Sequence, residues 1–507
     1  MEHKTLRKIE KIVLFLLIIT LPLNAIPKDY VLIPQLGDSL PNYFLMVGMA
    51  LLFYEWYLYR FLIDIKAILF ILVYVFWQLI CLAYGLIFYE YNELLTLNQI
   101  PTLQKILLFL SNYGFHIDEM LGIKWWLFLR NLKLILIFNN DLFFVLYYVF
   151  HLYKDNLKEG FKNVRHACVT LAIVMGTYSI VELLWIKLSL TSAGDLLKLI
   201  NPYLYDVVQV HGWWPPLLWH GQLRSITREP SFFGILSVFL LPFLWSLLFE
   251  KRYKLLSSSF IFYYTFMIAA TNARTAIVVT FGEIFLLLLS LAIVRKREYF
   301  INVNMIIIIT IAAFSFNLVD FKSYYLGSGK VITSATDYVE SNVISVTKTD
   351  VRSNNARLAN LVANLNVVIQ HPVTGVGTGL KDAYIDANLP EFSYGNEEVR
   401  NWSRYMRNEG VLKAVYPPLN KFADVAVQNG LVGLFMYLLI PFYIIYNFLR
   451  NLCKCLSNYE TTMLLISMGG LFAVQLSNSG FAIPNGIIWG LLLCKFIDIN
   501  NRNREIN

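Results

Sequence analysis

Charged side chains are scarce in this sequence: 15% of its 507 residues are Asp, Glu, Lys or Arg, against 57% hydrophobic residues and a mean hydropathy of +0.56. That balance excludes a soluble globule of this size, whose surface needs more charge than the chain supplies. Cysteine is scarce as well. Cys81, Cys168, Cys453, Cys455 and Cys494 fall within or beside apolar runs or in short loops, so neither a disulfide framework nor a zinc site is expected. The apolar runs lack the period-2 alternation of a membrane barrel. No small-residue cleavage site follows the first run; Pro27-Lys28-Asp29-Tyr30 follows instead, and the run reads as a retained anchor. Fixed-period repeats and low-complexity tracts are also missing.

What the sequence does have is a succession of apolar runs of roughly 17–25 residues, the length a helix needs to cross about 30 Å of hydrocarbon. Lipid offers no partner to an unpaired backbone amide, so the spanning structure is all helical. Spans are expected at about 10–27, 41–61, 67–89, 132–152, 166–188, 231–249, 255–271, 275–294, 301–319, 422–449, 462–480 and 484–497. The fourth is the weakest, interrupted by Asn139, Asn140 and Asp141. Lys4 to Lys11 is basic and places the amino terminus in the cytoplasm. Counting from there, every short loop expected inside is basic: Arg60 and Lys66; Lys154, Lys158, Lys162 and Arg165; Lys251, Arg252 and Lys254; Arg295, Lys296 and Arg297; Arg450 and Lys454. The tail agrees, with Lys495, Arg502 and Arg504. The expectation is twelve spans with both termini cytoplasmic. Residues 1–319 and 422–507 form the membrane part, and 320–421 form one large extracytoplasmic loop.

Three polar stretches fall outside on this count, at about 90–131, 189–230 and 320–421. Their arginines run against the orientation preference, and each is either a solvated surface group or a site for something anionic. The first cluster is Arg224-Ser225-Ile226-Thr227-Arg228-Glu229-Pro230-Ser231-Phe232-Phe233-Gly234. Pro230 suits the first turn of a helix, with Glu229 as its cap. Free amides, the positive end of the dipole and the guanidinium groups of Arg224 and Arg228 suit a phosphate. Glu229 is either a general base or simply a cap paired with Arg228. The second cluster is Thr271-Asn272-Ala273-Arg274, a tight turn that leaves Arg274 at the rim as a headgroup or diphosphate ligand, or as a snorkelling anchor.

The third cluster runs from Arg357 to Gly379. In helical projection Arg357, Asn360, Asn364 and His371 share one sector, while Leu358, Val362, Leu365 and Ile369 share another that is expected to pack. His371 before Pro372 is a packing or a catalytic histidine. The glycines at 375, 377 and 379 allow a loop whose backbone approaches a ligand closely. Tyr416-Pro417-Pro418-Leu419-Asn420 closes the loop, followed by Gln428-Asn429-Gly430-Leu431-Val432-Gly433. Trp213, Trp214, Trp219, Tyr384, Tyr394, Trp402 and Tyr405 are sugar-stacking groups or membrane anchors. Glu182 and Glu283 lie inside spans, and each needs a partner or a cavity.

Arg-Glu-Pro-Ser-Phe-Phe-Gly at 228–234, Asn-Ala-Arg-Thr at 272–275, His-Pro-x-x-Gly-x-Gly at 371–377 behind an arginine, and Asn-Gly-Leu-Val-Gly at 429–433 resemble the O-antigen polymerase and ligase superfamily, Wzy-type polymerases in particular. The resemblance covers about 220–440. It implies a GT-C-like, inverting membrane glycosyltransferase that joins undecaprenyl-diphosphate-linked saccharides outside the cytoplasmic membrane. No metal, no other cofactor and no nucleic acid is implied. A chain-length regulator and a flippase are the partners it suggests besides lipid. By position Arg274 and Arg357 would hold the donor diphosphate; either Glu229 serves as the catalytic carboxylate or the step needs no strong base. Arg224, Arg228, Asn360, Asn364, His371 and Asn420 would bind substrate. Ligases of this family carry a histidine late in the long loop. This chain has none after His371, which favours a polymerase over a ligase. A flippase or exporter is the reading from another class; it would place its charges along a path within the spans.

Overall fold

The computed structural model describes residues 3–33, 36–59, 65–205, 222–250, 253–294, 297–318, 352–413, 415–478 and 482–506. Among them all regular structure is helical. The first half runs through α1 (His3–Ile19), α2 (Leu40–Tyr59), α3 (Ile65–Ile87), the short α4 (Pro101–Asn112), α5 (Glu119–Tyr153), α6 (Leu157–Leu188) and α7 (Thr191–Ile200). Then follow α8 (Pro230–Trp245), α9 (Lys254–Ala270), α10 (Arg274–Ile293) and α11 (Arg297–Asn317). The long polar segment holds α12 (Arg352–Gln370), α13 (Lys381–Ala387) and α14 (Glu397–Glu409); α15 (Lys421–Arg450), α16 (Leu452–Leu456), α17 (Tyr459–Gln475) and α18 (Ala482–Ile506) complete the chain.

Seven of these helices are long and apolar enough to cross a bilayer: Ala67–Ile87 of α3, then α5, α6, Pro230–Phe249 beginning with α8, α10, α11 and α15. Two more, α9 and Ala482–Ile497 of α18, are apolar but shorter. The remaining predicted spans overlap α1, α2 and α17, which are shorter or more polar. The chain is thus an all-helical, multi-pass membrane protein. Its middle is α8: 83% of the window Pro230–Phe249 is buried, against 22% for Ala67–Ile87, so α3 faces lipid with Leu69, Leu72 and Phe76.

Two helices extend well beyond their predicted spans. α5 starts at Glu119, not near 132, because Asp118 caps it by accepting from the Leu121 amide at 3.0 Å. Lys124, Arg130 and Lys133 interrupt its hydropathy without interrupting its backbone ladder. The weak point at Asn139–Asp141 is a π-helical turn, Asn140–Phe144; Asn139 donates to Gln78 Oε1 at 2.6 Å and to the Ile135 carbonyl at 2.7 Å. α6 starts at Leu157, capped by Asn156, which accepts from the Glu159 amide at 3.1 Å. At ~1.5 Å per residue its 32 residues span roughly 48 Å, longer than the hydrocarbon is thick.

Close backbone approach sets the packing of the last helix. Gly486 and Gly490, one turn apart on α18, lie against the Leu142 and Leu146 carbonyls of α5; a Cβ there would sit 2.6 and 2.7 Å from those oxygens.

The loop after α12 is inserted between α3 and α15. α15 is broken at Gly430, which has φ 68° and ψ −179°. The break frees the carbonyls of Val427 and Gln428, which accept from the amides of Val376 at 2.8 Å and Gly377 at 3.0 Å. In return the Leu431 amide donates to the Pro372 carbonyl at 2.8 Å. Two glycines of this loop approach protein backbone closely: a Cβ at Gly375 would lie 2.3 Å from the Val427 oxygen and one at Gly377 3.0 Å from the Cys81 oxygen, while at Gly379 it would meet the Asn131 side chain at 2.5 Å; a Cβ at Gly85 of α3 would lie 2.1 Å from the Val376 oxygen.

Gly430→Ala would put a Cβ 1.8 Å from the Val373 oxygen at a positive φ. It is expected to cost more than about 3 kcal/mol, read as a lowered Tm in detergent. Gly282→Ala, where a Cβ meets open space, should leave Tm unchanged or raised.

Candidate functional site

The site is built where α8 and α10 begin side by side. Glu229 takes an extended conformation, φ −141° and ψ 153°, and Pro230 opens the helix. The amides of Phe232 and Phe233 donate to the Glu229 carbonyl at 3.0 and 3.2 Å. Its carboxylate caps nothing; it accepts from Ser231 Oγ at 3.2 Å. Arg228 is exposed, and among the described residues it forms no ion pair with Glu229. Gly234, one turn into α8, lets α10 come close: a Cβ there would sit 2.4 Å from Ala276 Cβ and 3.4 Å from Ala273 Cβ. The turn into α10 is made by Asn272 at φ 51° and by Thr271 Oγ1, which accepts from the Ala273 amide at 3.0 Å. Arg274 is the first residue of α10 and is half-buried.

The segment before α8 is pinned from two sides. The Leu223 amide donates to the Ala270 carbonyl of α9 at 3.0 Å. Glu182 of α6 accepts from the Ser225 amide at 2.6 Å and lies 3.7 Å from Arg224 Nε. Arg224 is 2% exposed and lies over the Tyr205 ring at 5.0 Å. Glu182 thus has its partner in Arg224, and that guanidinium is turned into the protein rather than toward the rim. Glu283 stays isolated: it is buried, and neither carboxylate oxygen has a hydrogen-bond partner.

α12 brings Arg357 to the same rim. Its guanidinium is solvent-accessible yet surrounded by enough protein that burial lowers its pKa, as expected in the wall of a cleft. Arg274 is close enough to lower it further by repulsion, while Glu398 of α14 opposes both effects. A chain of contacts closes around the pair. Asn360, three residues from Arg357, donates to the Pro417 carbonyl at 3.4 Å; Asn420 caps α15 by accepting from the Ala423 amide at 3.0 Å and donates to the Leu476 carbonyl at 3.1 Å. Ser477 Oγ lies 3.5 Å from Thr275 Oγ1, beside Arg274.

The face of α12 that packs is not the predicted one. Ala356, Ala359, Ala363 and Val367 are buried together with Asn360 and Asn364, whereas Leu358, Leu365 and Ile369 are exposed. Small residues let α12 lie close to its neighbours, and the two asparagines are satisfied on that face, Asn364 donating to the Asn360 carbonyl at 2.6 Å. His371 lies at the far end of α12, 14 residues and roughly 21 Å along the axis from Arg357. It sits 3.5 Å from Glu90 and edge-on to Tyr384, with ring centroids 5.4 Å apart. The structure thus gathers Arg274, Arg357, Asn360 and Asn420, with Arg228 and Glu229 on the adjoining helix start. Arg224 and His371 are engaged elsewhere. Trp213, Trp214 and Trp219 lie outside the described residues.

One charged cluster has no counterpart in the sequence reading. Lys381 is ion-paired with Asp424 of α15; burial lowers its pKa, and Asp424 with Asp382 outweighs that, for a net rise. Asp382 accepts from the Tyr416 amide at 2.8 Å, and burial, opposed by Lys381, pushes it up to about 6. A polar cavity of about 170 Å³ adjoins them, lined by Gln78, Thr378, Lys421, Asp424, Gln428 and Asn429 among others. The signal lay in the adjacent Lys381-Asp382 just past the glycine loop, where two charges in a chain so poor in charge needed an explanation.

A multi-pass membrane protein with two arginines from separate segments meeting at a helix-terminal rim is the class that fold and site define. The family model described as O-antigen ligase (Wzy_C) matches residues 255–438. The match supports the O-antigen polymerase and ligase superfamily and, with it, a ligase- or polymerase-type function. The match covers Arg274, Arg357, Asn360, Asn364, His371 and Asn420, and stops short of Arg224–Glu229 on the amino-terminal side. No curated protein and no solved structure matches the chain.

Asp382 supplies a pH test. Its pKa is raised in the fold, so its contribution to stability is fully present below pH about 4, is lost as the pH rises to about 6 and is constant above. Asp382→Asn should remove that loss. Relative to the native protein the variant gains on the order of 3 kcal/mol between pH 4 and pH 7, measured as the difference between the two unfolding curves.

Proposed function

We propose that the protein polymerises undecaprenyl-diphosphate-linked oligosaccharide repeat units at the outer face of the bacterial cytoplasmic membrane, by inverting glycosyl transfer. The observation that carries this reading is the pairing of Arg274 with Arg357 at the start of α10, beside the start of α8. Two guanidinium groups and two helix amino termini suit a diphosphate, doubly charged in the donor and more so as it leaves. As the bond from the sugar carbon to the diphosphate oxygen breaks, negative charge grows on the diphosphate, and the arginines stabilise it. The acceptor hydroxyl attacks from the opposite face, and its proton passes to Glu229, whose carboxylate accepts from Ser231 Oγ among the described residues. In this reading Arg228 and Asn420 line the approach, and the membrane-bound partners are a flippase that supplies the units and a chain-length regulator.

The family description supports a ligase as the second reading. Against it stands the position of the last histidine: His371 is roughly 21 Å along α12 from Arg357, too far to take a proton there.

Purified protein incubated with a synthetic undecaprenyl-diphosphate repeat unit should yield a ladder of longer products. A single transfer to a different acceptor without a ladder identifies a ligase; no products but accelerated flipping in liposomes would overturn the enzyme reading. Arg274→Ala and Arg357→Ala should each lower the rate by about a hundredfold or more, an effect of roughly 3 kcal/mol on the barrier. Glu229→Gln should lower the rate and leave binding of the donor intact; normal polymer from that variant sinks its role as base.

A further inference from the structure

A second charged cavity lies at the other end of the molecule, between α1 and α6. It measures about 520 Å³, and its wall includes Lys4, Arg7, Lys8 and Lys11 of α1 with Glu159 of α6. The four cations stand at i, i+3, i+4 and i+7, so they share one face of α1. Two of them have acid partners: Arg7 Nε is 2.7 Å from Glu55, and Lys11 pairs with Glu159 at 2.5 Å. Lys4 and Lys8 are exposed, and among the described residues neither has a carboxylate within ion-pair distance. The next two turns of α1 change character: Ile12, Leu14, Phe15 and Ile18 continue the same wall. The cavity is therefore cationic at the helix start and apolar deeper along the helix axis, which the charge distribution orients from the cytoplasm into the membrane.

We propose that this cavity binds an anionic phospholipid of the cytoplasmic leaflet, its phosphate on Lys4 and Lys8 and the upper part of its acyl chains on Ile12, Phe15 and Ile18. A soluble anion would find the cations but leave the apolar wall bare. A zwitterionic lipid would cover the wall, while its own ammonium would oppose the four cations, which face a single carboxylate, Glu159, in the lining. The site is independent of the transfer chemistry, since it lies at the opposite end of the bundle from Arg274.

Native mass spectrometry of the full chain in detergent, titrated with phosphatidylglycerol and with phosphatidylcholine of the same acyl chains, tests the assignment. The native protein should retain phosphatidylglycerol at least tenfold more tightly. Lys4→Gln with Lys8→Gln should lose most of that preference, at roughly a factor of five per cation, and Lys4→Arg with Lys8→Arg should keep it. Equal affinity of the native protein for the two lipids overturns the proposal without any variant. So does an unchanged preference in the glutamine pair, or displacement of the lipid by millimolar glycerol phosphate, which would mark a soluble-anion site.

Discussion

A backbone carbonyl without a partner is costly wherever water is excluded, and the arrangement of this protein depends on how that cost is met at one place. α15 is broken at Gly430, and the oxygens released by the break are bound by amides of the Pro372–Gly379 loop. Neither feature is stable without the other: an unbroken α15 leaves the loop amides unpaired, and a withdrawn loop leaves the carbonyls of Val427 and Gln428 bare. The exchange fixes the end of α12 against α15. Once that end is fixed, a rigid helix of 19 residues determines where Arg357 stands. The arginine reaches the start of α10 from a helix anchored at that hydrogen-bonded joint and held nearer Arg357 by the bond from Asn360 to the Pro417 carbonyl.

Charge inside the bundle follows the same logic of paired cost. Glu182 is buried deep in α6, yet it accepts from Ser225 and lies against Arg224, so the segment leading into α8 is held by the very residue that composition alone would mark as a liability. The start of α8 inherits its position from that pair, and Gly234 then sets how closely α10 can follow. Lys381 and Asp424 do the equivalent at the joint between the glycine loop and α15. These two interior ion pairs are placed at junctions where irregular backbone meets helix, which is where position needs most specification.

Long apolar runs were legible, because hydropathy over about 20 residues reports directly on burial in lipid. Where the spans begin was less so: Asp118 and Asn156 start α5 and α6 through side-chain caps, a local hydrogen bond that hydropathy does not register. The rim residues Arg274 and Arg357 could be singled out by type and place, but not their proximity, which depends on the Gly430 joint. The packing face of α12 was misread for a specific reason. Projection assigns the core to the larger aliphatics, yet α12 approaches its neighbours so closely that only alanines fit, with Asn360 and Asn364 satisfying each other. Helices that pack through small residues hide their buried face from any scale based on hydrophobicity. The glycines at 486 and 490 belong to the same class and gave as little signal.

The pairing of Arg274 with Arg357 also has an energetic consequence. Two like charges held in one cleft raise the energy of the site, and the pKa of Arg357, lowered first by burial, is lowered further by that repulsion. At Arg357, Glu398 offsets only part of the combined effect of burial and Arg274. An anion entering between them removes the repulsion as well as adding attraction, so the site gains more from a dianion than two isolated arginines would. The gain is largest when charge on the bound group is greatest. Under the proposed transfer that is the moment the diphosphate departs from the sugar, which would make the crowded pair better suited to the leaving group than to the intact donor.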